Sequence, residues 1–149
     1  MTVTERRTIG WREWIGLPDL GVEWVKAKVD TGARSSTLHA WDIDVVEIAG
    51  VVRFSVHPFQ DDDERVVAVE AQLVELREVR SSNGDVEVRP VIRTTALISS
   101  HPYAIELTLS RRDEMGFRML LGRSAIRRRF VVDPGRSFRG GGDRHGPPR

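Results

Sequence analysis

The 149-residue sequence contains no cysteine. That excludes disulfides, thiolate metal sites and a cysteine nucleophile. It also has almost no excess charge. The 23 Lys and Arg against 22 Asp and Glu leave a net charge of +1, too little to draw nucleic acid or an anionic membrane as the main partner. No apolar run approaches the roughly eighteen residues of a membrane span. Met1 to Thr8 carries Glu5, Arg6 and Arg7 and lacks the apolar stretch of a signal peptide, so a cytoplasmic location is expected. There is no His-Glu-x-x-His, and His39, His57, His101 and His145 are scattered without ligand spacing. There is no Gly-x-x-x-x-Gly-Lys loop for nucleotide phosphates either. Neither a metal nor a cofactor is expected.

What remains is an ordinary globular composition, 40% hydrophobic and 30% charged, at the length of one domain. The apolar residues alternate in short runs. Val22 to Val29, Thr37 to Trp41, Tyr103 to Leu109 and Phe130 to Asp133 read as strands. Asp42 to Phe54 reads as a hairpin bent at Ala49-Gly50. Val66 to Val79 fits either period, but its β-branched residues favour strand. Ser82-Asn83-Gly84-Asp85 is a strong hairpin turn, because Asn-Gly accepts the positive φ of a tight reversal. Pro90 in the following strand suggests an edge position. Trp11, Trp14 and Trp24 are packing residues. Gln60 to Glu64 is an acidic loop that lacks the alternating acids of a calcium loop and reads as solvated. Ser110 to Glu114 forms a charged loop, and Ser124 to Arg129 has room for about two turns of helix. Residues 1–7 are expected to be flexible, residues 8–133 to form the domain, and the Gly-, Pro- and Arg-rich residues 134–149 to be disordered. Many short strands with frequent turns and one short helix make an all-β protein, a small closed barrel.

One strand ends unusually. Trp24-Val25-Lys26-Ala27-Lys28-Val29 runs into Asp30-Thr31-Gly32-Ala33-Arg34. A strand end presents the Asp30 carboxylate at the rim of a sheet. The Thr31 hydroxyl can bond a neighbouring backbone, and Gly32 admits another backbone or a substrate at close range. Three residues alone are a weak signal. About ninety residues later comes Met119-Leu120-Leu121-Gly122-Arg123-Ser124-Ala125-Ile126. Between the two lie Val79-Arg80-Ser81-Ser82-Asn83-Gly84 with Glu87-Val88-Arg89-Pro90-Val91-Ile92, and Glu106-Leu107-Thr108-Leu109.

These four ordered segments resemble the retropepsins, single-domain aspartic proteases that work as dimers. They are similar in particular to a bacterial retropepsin-like family often labelled "ATP-dependent zinc protease". The resemblance covers roughly residues 8 to 133. It implies a retropepsin-type barrel, and it assigns Asp30 to a catalytic dyad. Thr31 would brace the two active-site loops across a dimer axis, and Gly32 would be the close-approach position. Ala33, Gly122 and Arg123 would support the loop from beneath. The resemblance also implies a functional link to ATP-grasp ligases that add amino acids, often glutamate, to peptides or proteins. One Asp-Thr-Gly per chain requires a second copy from a second subunit, hence a homodimer.

Two departures stand out. There is no glycine-rich flap, and the one candidate for that role is the Ser81 to Asp85 hairpin tip. Arg34 follows the motif's alanine, where retropepsins usually carry an acid or a small residue. Arg34, Arg80 and Arg89, with Asn83 at the turn, are the candidate substrate-binding residues, because a guanidinium fork suits carboxylates. The alternative for the arginines is solvated strand charge. The expected function is an aspartic endopeptidase acting on acidic, Glu-rich peptides. The alternative is a peptide-binding module with the same fold and little or no hydrolysis. A third reading, a nucleic-acid-binding barrel using Arg127, Arg128 and Arg129, is opposed by the near-neutral charge.

Overall fold

The computed structural model describes residues 6–59, 62, 64–80, 83–111 and 116–149. The chain runs β1 (Arg7–Gly10), β2 (Arg12–Leu17), β3 (Val22–Val29), β4 (Ser36–His39), β5 (Trp41–Val46), β6 (Val51–Val56), β7 (Val67–Gln72) and β8 (Glu75–Arg80). It continues with β9 (Val86–Ile98), β10 (His101–Ser110), β11 (Met119–Leu121), the helix α1 (Arg123–Ile126) and β12 (Phe130–Asp133). Single 3-10 turns sit at Pro18–Leu20 and Glu47–Ala49. Each is ended by a glycine at positive φ, Gly21 at 72° and Gly50 at 66°, the left-handed conformation that glycine adopts without a Cβ penalty.

Six strands close a barrel. β10 lies beside β4, β4 beside β11, β11 beside β3, β3 beside β2, β2 beside β9, and β9 returns to β10. Two of these pairings are parallel, β10 with β4 and β11 with β3. The interior is aliphatic. Ile15, Leu17, Val25, Ala27, Leu38, Ile92, Leu107, Met119 and Leu121 are fully buried. The alternation read for β3 is the cause of its placement, since Val25, Ala27 and Val29 turn inward and Lys28 outward. A second sheet, β5-β6-β7, and a parallel pair, β1 with β12, flank the barrel. The expected all-β barrel is therefore the observed fold.

β9 is thirteen residues long because it belongs to two structures. Its second half, from Val91, pairs with β10 in the barrel wall. Its first half pairs with β8 as a projecting hairpin, with Arg80 opposite Val86 and Leu76 opposite Pro90. Pro90 sits where β9 passes from hairpin to wall. Gly84 in the hairpin turn has a φ of 90°, as the Asn-Gly reading requires.

Three expectations are corrected. The helix after Gly122 makes one turn, not two, because Arg127 leaves helical geometry and Arg128 takes a positive φ of 67°. Arg7, placed in a flexible terminus, starts β1 opposite Phe130. Residues 134–149, expected to be disordered, lie along β2. The Trp11 amide donates to the Arg136 carbonyl and the Phe138 amide to the Arg12 carbonyl, at 2.8 and 2.9 Å. The carboxylate of Glu13, 1% exposed, accepts from the amides of Gly10, Arg139 and Gly140. The Trp14 ring donates to the Asp143 carbonyl and stacks with Phe138. Composition misled because a buried acid and an indole, both on β2, supply the partners that a Gly- and Pro-rich segment cannot supply for itself.

Met1 to Glu5, Gln60, Asp61, Asp63, Ser81, Ser82 and Arg112 to Met115 lie outside the described residues. So do the expectations that fall on them, namely most of the flexible terminus, much of the acidic loop, part of the flap tip and most of the charged loop.

Candidate active site

β3 delivers Asp30 to the barrel rim, and the loop that follows is held by hydrogen bonds from two directions. The Asp30 amide donates to the Leu121 carbonyl at 2.9 Å. Its own carboxylate folds back, with Oδ1 accepting from the Gly32 amide at 2.8 Å. One oxygen is thereby oriented by backbone. A β-carbon on Gly32 would approach that carboxylate to 3.1 Å, so glycine keeps the turn open.

The Gly122-Arg123 motif grips this loop from beneath. The Gly122 amide donates to Ser36 Oγ at 3.0 Å. The Arg123 amide donates to the Ala33 carbonyl at 2.8 Å and the Ser124 amide to the Arg34 carbonyl at 3.0 Å. Arg123 Nη1 reaches the carbonyls of both Thr31 and Gly32, at 3.1 and 3.0 Å. Parallel pairing of β11 with β3 brings the two motifs together, with Leu121 opposite Val29. Asp30, Thr31, Gly32, Ala33, Gly122 and Arg123 thus form one unit, about ninety residues apart in sequence and adjacent in space.

Beside this loop opens a cavity of about 410 Å³. Arg34, Arg80 and Arg89 all line it, together with Gly32 and Ala33. Arg34 and Arg80 are exposed, whereas the Arg89 side chain is only 13% exposed. Arg89 pairs with Glu87 at 3.2 Å, and its Nε is buried with no hydrogen-bond partner among the described residues. A buried donor of that kind is costly unless something else satisfies it. Asn83, grouped with these arginines by sequence, does not line the cavity. It is exposed in the hairpin turn, where its Oδ1 accepts from the Asp85 amide.

The cavity floor was missed in the sequence. Thr37 and Thr108 stand opposite each other across β4 and β10, with hydroxyls 3.0 Å apart, and Ser110 continues the row. The available signal was the alternation Glu106, Thr108, Ser110 along β10, which places three polar side chains on one face.

No group of three or more His, Asp or Glu side chains able to hold a metal occurs among the described residues. His39 instead stacks against Trp41 with ring centroids 3.9 Å apart, and the His57 ring lies tilted against the same indole at 4.0 Å. His101 lies between Arg7 and the Ser99 carbonyl. Asp62 of the acidic loop accepts from the Glu64 amide and pairs with Arg65 at 3.7 Å. Arg129, from the basic trio, lies over the Tyr103 ring and donates to the Ala104 carbonyl. Among the described residues, no helix is long and apolar enough to cross a membrane.

A family model described as "RimB-like: Retropepsin-like aspartic endopeptidase RimB" matches residues 8–140. Two curated relatives, each named "Probable alpha-L-glutamate ligase", come from Shewanella halifaxensis and Desulfotalea psychrophila. They are 42% and 43% identical over 132 and 131 residues, and each match covers 87% of this chain. The matched segment is only 29% and 28% of those proteins, so the chain spans less than a third of their length. A crystal structure of a Legionella pneumophila protein of unknown function superposes with a TM-score of 0.73 at 29% identity. That match covers 91% of this chain and 98% of the Legionella chain.

Proposed function

The chain belongs to the RimB-like family of retropepsin-like aspartic endopeptidases, and we propose that it hydrolyses peptide bonds through two copies of Asp30 paired across the twofold axis of a homodimer. The observation that carries this reading is the Asp30 loop itself. A carboxylate at a strand end is oriented by the Gly32 amide, and Arg123 holds the Thr31 and Gly32 carbonyls of the same loop. A side-chain oxygen accepting from the amide two residues on also occurs in the turns at Asp62 and Asn83; what favours a reacting group here is that Arg123, about ninety residues away, holds the loop as well.

The chemistry follows from the pair. Two carboxylates about 3 Å apart cannot both be ionised, so they share a proton. The ionised member takes a proton from water, and the water oxygen attacks the scissile carbonyl carbon. The protonated member hydrogen-bonds the carbonyl oxygen as negative charge develops there. Proton delivery to the amide nitrogen then lets the C–N bond break, leaving a carboxylic acid and an amine. Thr31, exposed beside Asp30, is the hydroxyl available to brace the partner loop. The substrate proposal rests on the cavity beside the loop, where three arginines, one with a buried Nε that has no hydrogen-bond partner among the described residues, favour acidic peptides. The names of the curated relatives add a functional link to glutamate ligation, with Glu-rich peptides made by such ligases as candidate substrates.

The test is Asp30→Asn, nearly isosteric but unable to act as a base. Wild type is expected to cleave acidic peptides and the variant to bind them without turnover, with fold and dimer intact. Binding without cleavage by both proteins would favour the peptide-binding module. Cleavage retained by the variant would remove Asp30 from the mechanism.

A further inference from the structure

Glu106 stands outside the Asp30 loop and its cavity, although Glu106-Leu107-Thr108-Leu109 is one of the four segments that carry the resemblance. Thr108 and Ser110 share its face of β10 and line the cavity beside Asp30. Glu106 instead lines a second cavity of about 430 Å³, with Arg34, Arg77, Glu78 and Arg80. The two cavities have Arg34, Ser35, Val79 and Arg80 in common, so they meet along that wall. They differ in charge. Three arginines and no acid line the first, among the described residues, whereas three arginines and two glutamates line the second.

Both oxygens of the Glu106 carboxylate are engaged. Arg77 Nη2 donates to Oε1 at 3.1 Å and Arg93 Nη2 donates to Oε2 at 3.3 Å. The hydrogen bond from Arg77 is the main cause that holds the Glu106 carboxyl below its ordinary value of 4.5, so the group is ionised at neutral pH. Arg77 also stands directly opposite Arg89 across the hairpin. Two facing arginines repel unless acids hold them. Glu75 and Glu106 hold Arg77, while Glu87 pairs with Arg89.

We propose that Glu106 is a specificity-determining residue that occupies the place of a substrate carboxylate in the second cavity and so confines recognition of acidic residues to the first. This rests on the proposal that the first cavity binds acidic side chains. An acidic side chain entering the second cavity meets Glu78 and Glu106 as like charges. It finds Arg77, the arginine that the first cavity lacks, already bonded to Glu75 and Glu106, so it must break charge-assisted hydrogen bonds to form equivalent ones. Arg34 and Arg80 line both cavities, so they give the second no advantage over the first. In the first cavity the same side chain meets arginines with no acid among the described lining residues, since Glu87, which pairs with Arg89, lies outside that lining. The cleft therefore demands an acid at one substrate position and tolerates a neutral residue at the neighbouring one.

The experiment uses short fluorescent peptides with one Glu, or two, walked along a neutral background. Their binding is measured by polarisation to Asp30→Asn protein, so that nothing is consumed. The same background carries Glu106→Gln, or Glu106→Asp as the charge-preserving control. The expected result is a single favoured Glu position with little gain from a second Glu. In the Glu106→Gln protein the second Glu should tighten binding by about ten-fold, the scale of one charge-assisted contact. Glu106→Asp should restore the original profile. If the second Glu adds the same factor in both proteins, or Glu106→Gln weakens every peptide in proportion, Glu106 is only a tether and the assignment is overturned. If even a single Glu brings no preference before Glu106 is changed, the reading of the first cavity fails, and this one with it.

Discussion

Gly122 lies so close to Ser35 that a β-carbon on it would overlap the Ser35 carbonyl oxygen and stand 2.6 Å from the carbonyl carbon. The obstacle is backbone, so it cannot rotate away. It is also the backbone of the Asp30 loop, which Gly122 and Arg123 otherwise hold through their amides. Gly122→Ala is therefore expected to displace the loop. The cost should be about 1–3 kcal/mol, as for overpacking elsewhere, and turnover should fall by more than ten-fold. Thermal melting and peptidase assays check both. A variant that melts like wild type and cleaves at full rate would show that the loop has room to give.

Arg123 is expected to behave differently. Its side chain is exposed, so little core packing depends on it. Its Nη1 nevertheless holds the Thr31 and Gly32 carbonyls. Arg123→Leu should cost only about 1 kcal/mol of stability yet lower kcat well below that of wild type, with KM little changed, because it loosens the reacting group rather than the substrate cavity. An equal rise in KM would place Arg123 in binding instead.

A dyad built from two chains makes activity a property of the pair. Specific activity should fall on dilution. Wild type mixed with excess Asp30→Asn protein should lose activity as the square of the wild-type fraction. A linear loss would mean that one chain carries a complete site.

The contact between Glu106 and Arg77 has a pH signature. The folded protein holds the Glu106 carboxyl below 4.5, chiefly through the Arg77 hydrogen bond. A carboxyl whose folded value is depressed adds stability that is fully present above its unfolded value and is lost as pH falls through the folded one. Wild type should melt above Glu106→Gln at neutral pH, and the gap should close as pH drops below 4.5. The pair is partly solvent-exposed, 31% for Arg77 and 37% for Glu106, so the gap should be modest and should shrink with salt. A gap that persists in strong acid would assign the effect to packing.

Much of this was legible in the sequence where local pattern and tertiary contact agree. The alternation of Val25, Ala27 and Val29 predicted the strand that carries Asp30, and Asn83-Gly84 predicted the hairpin. Three arginines scattered over residues 34 to 89 share one cavity because the hairpin folds toward the Asp30 loop. What the sequence hid depends on partners far along the chain. The order in residues 134–149 comes from Glu13 and Trp14 on β2, more than a hundred residues earlier. The Thr37 and Thr108 floor depends on parallel pairing of β4 with β10. Glu106 reads as surface charge until the positions of Arg77 and Arg93 are known.

No metal-binding group of side chains occurs among the described residues, and an Asp dyad activates water without one. Treatment with EDTA is expected to leave cleavage and melting temperature unchanged. A stoichiometric metal, lost together with activity, would overturn a mechanism in which the two carboxylates alone activate the water.

Arg34, Arg80 and Arg89 should not contribute equally. All three line the cavity beside Asp30, but Arg34 and Arg80 are exposed and Arg89 is 13% exposed with a buried Nε lacking a partner among the described residues. A charge-assisted contact is worth about 1.5–3 kcal/mol where water is excluded, and about 0.2–1 kcal/mol at an exposed site. Each step of about 1.4 kcal/mol is ten-fold in kcat/KM. Arg89→Ala should therefore lower kcat/KM for Glu-rich peptides by roughly ten-fold or more. Arg34→Ala and Arg80→Ala should each lower it by only about two- to five-fold, with a stronger salt dependence. None of the three should change cleavage of neutral peptides to the same degree. The comparison is a Glu-rich and a neutral peptide library against each variant. Equal cleavage of both libraries by wild type, or equal losses on both in the variants, would make the arginines strand charges and end the acidic-substrate reading.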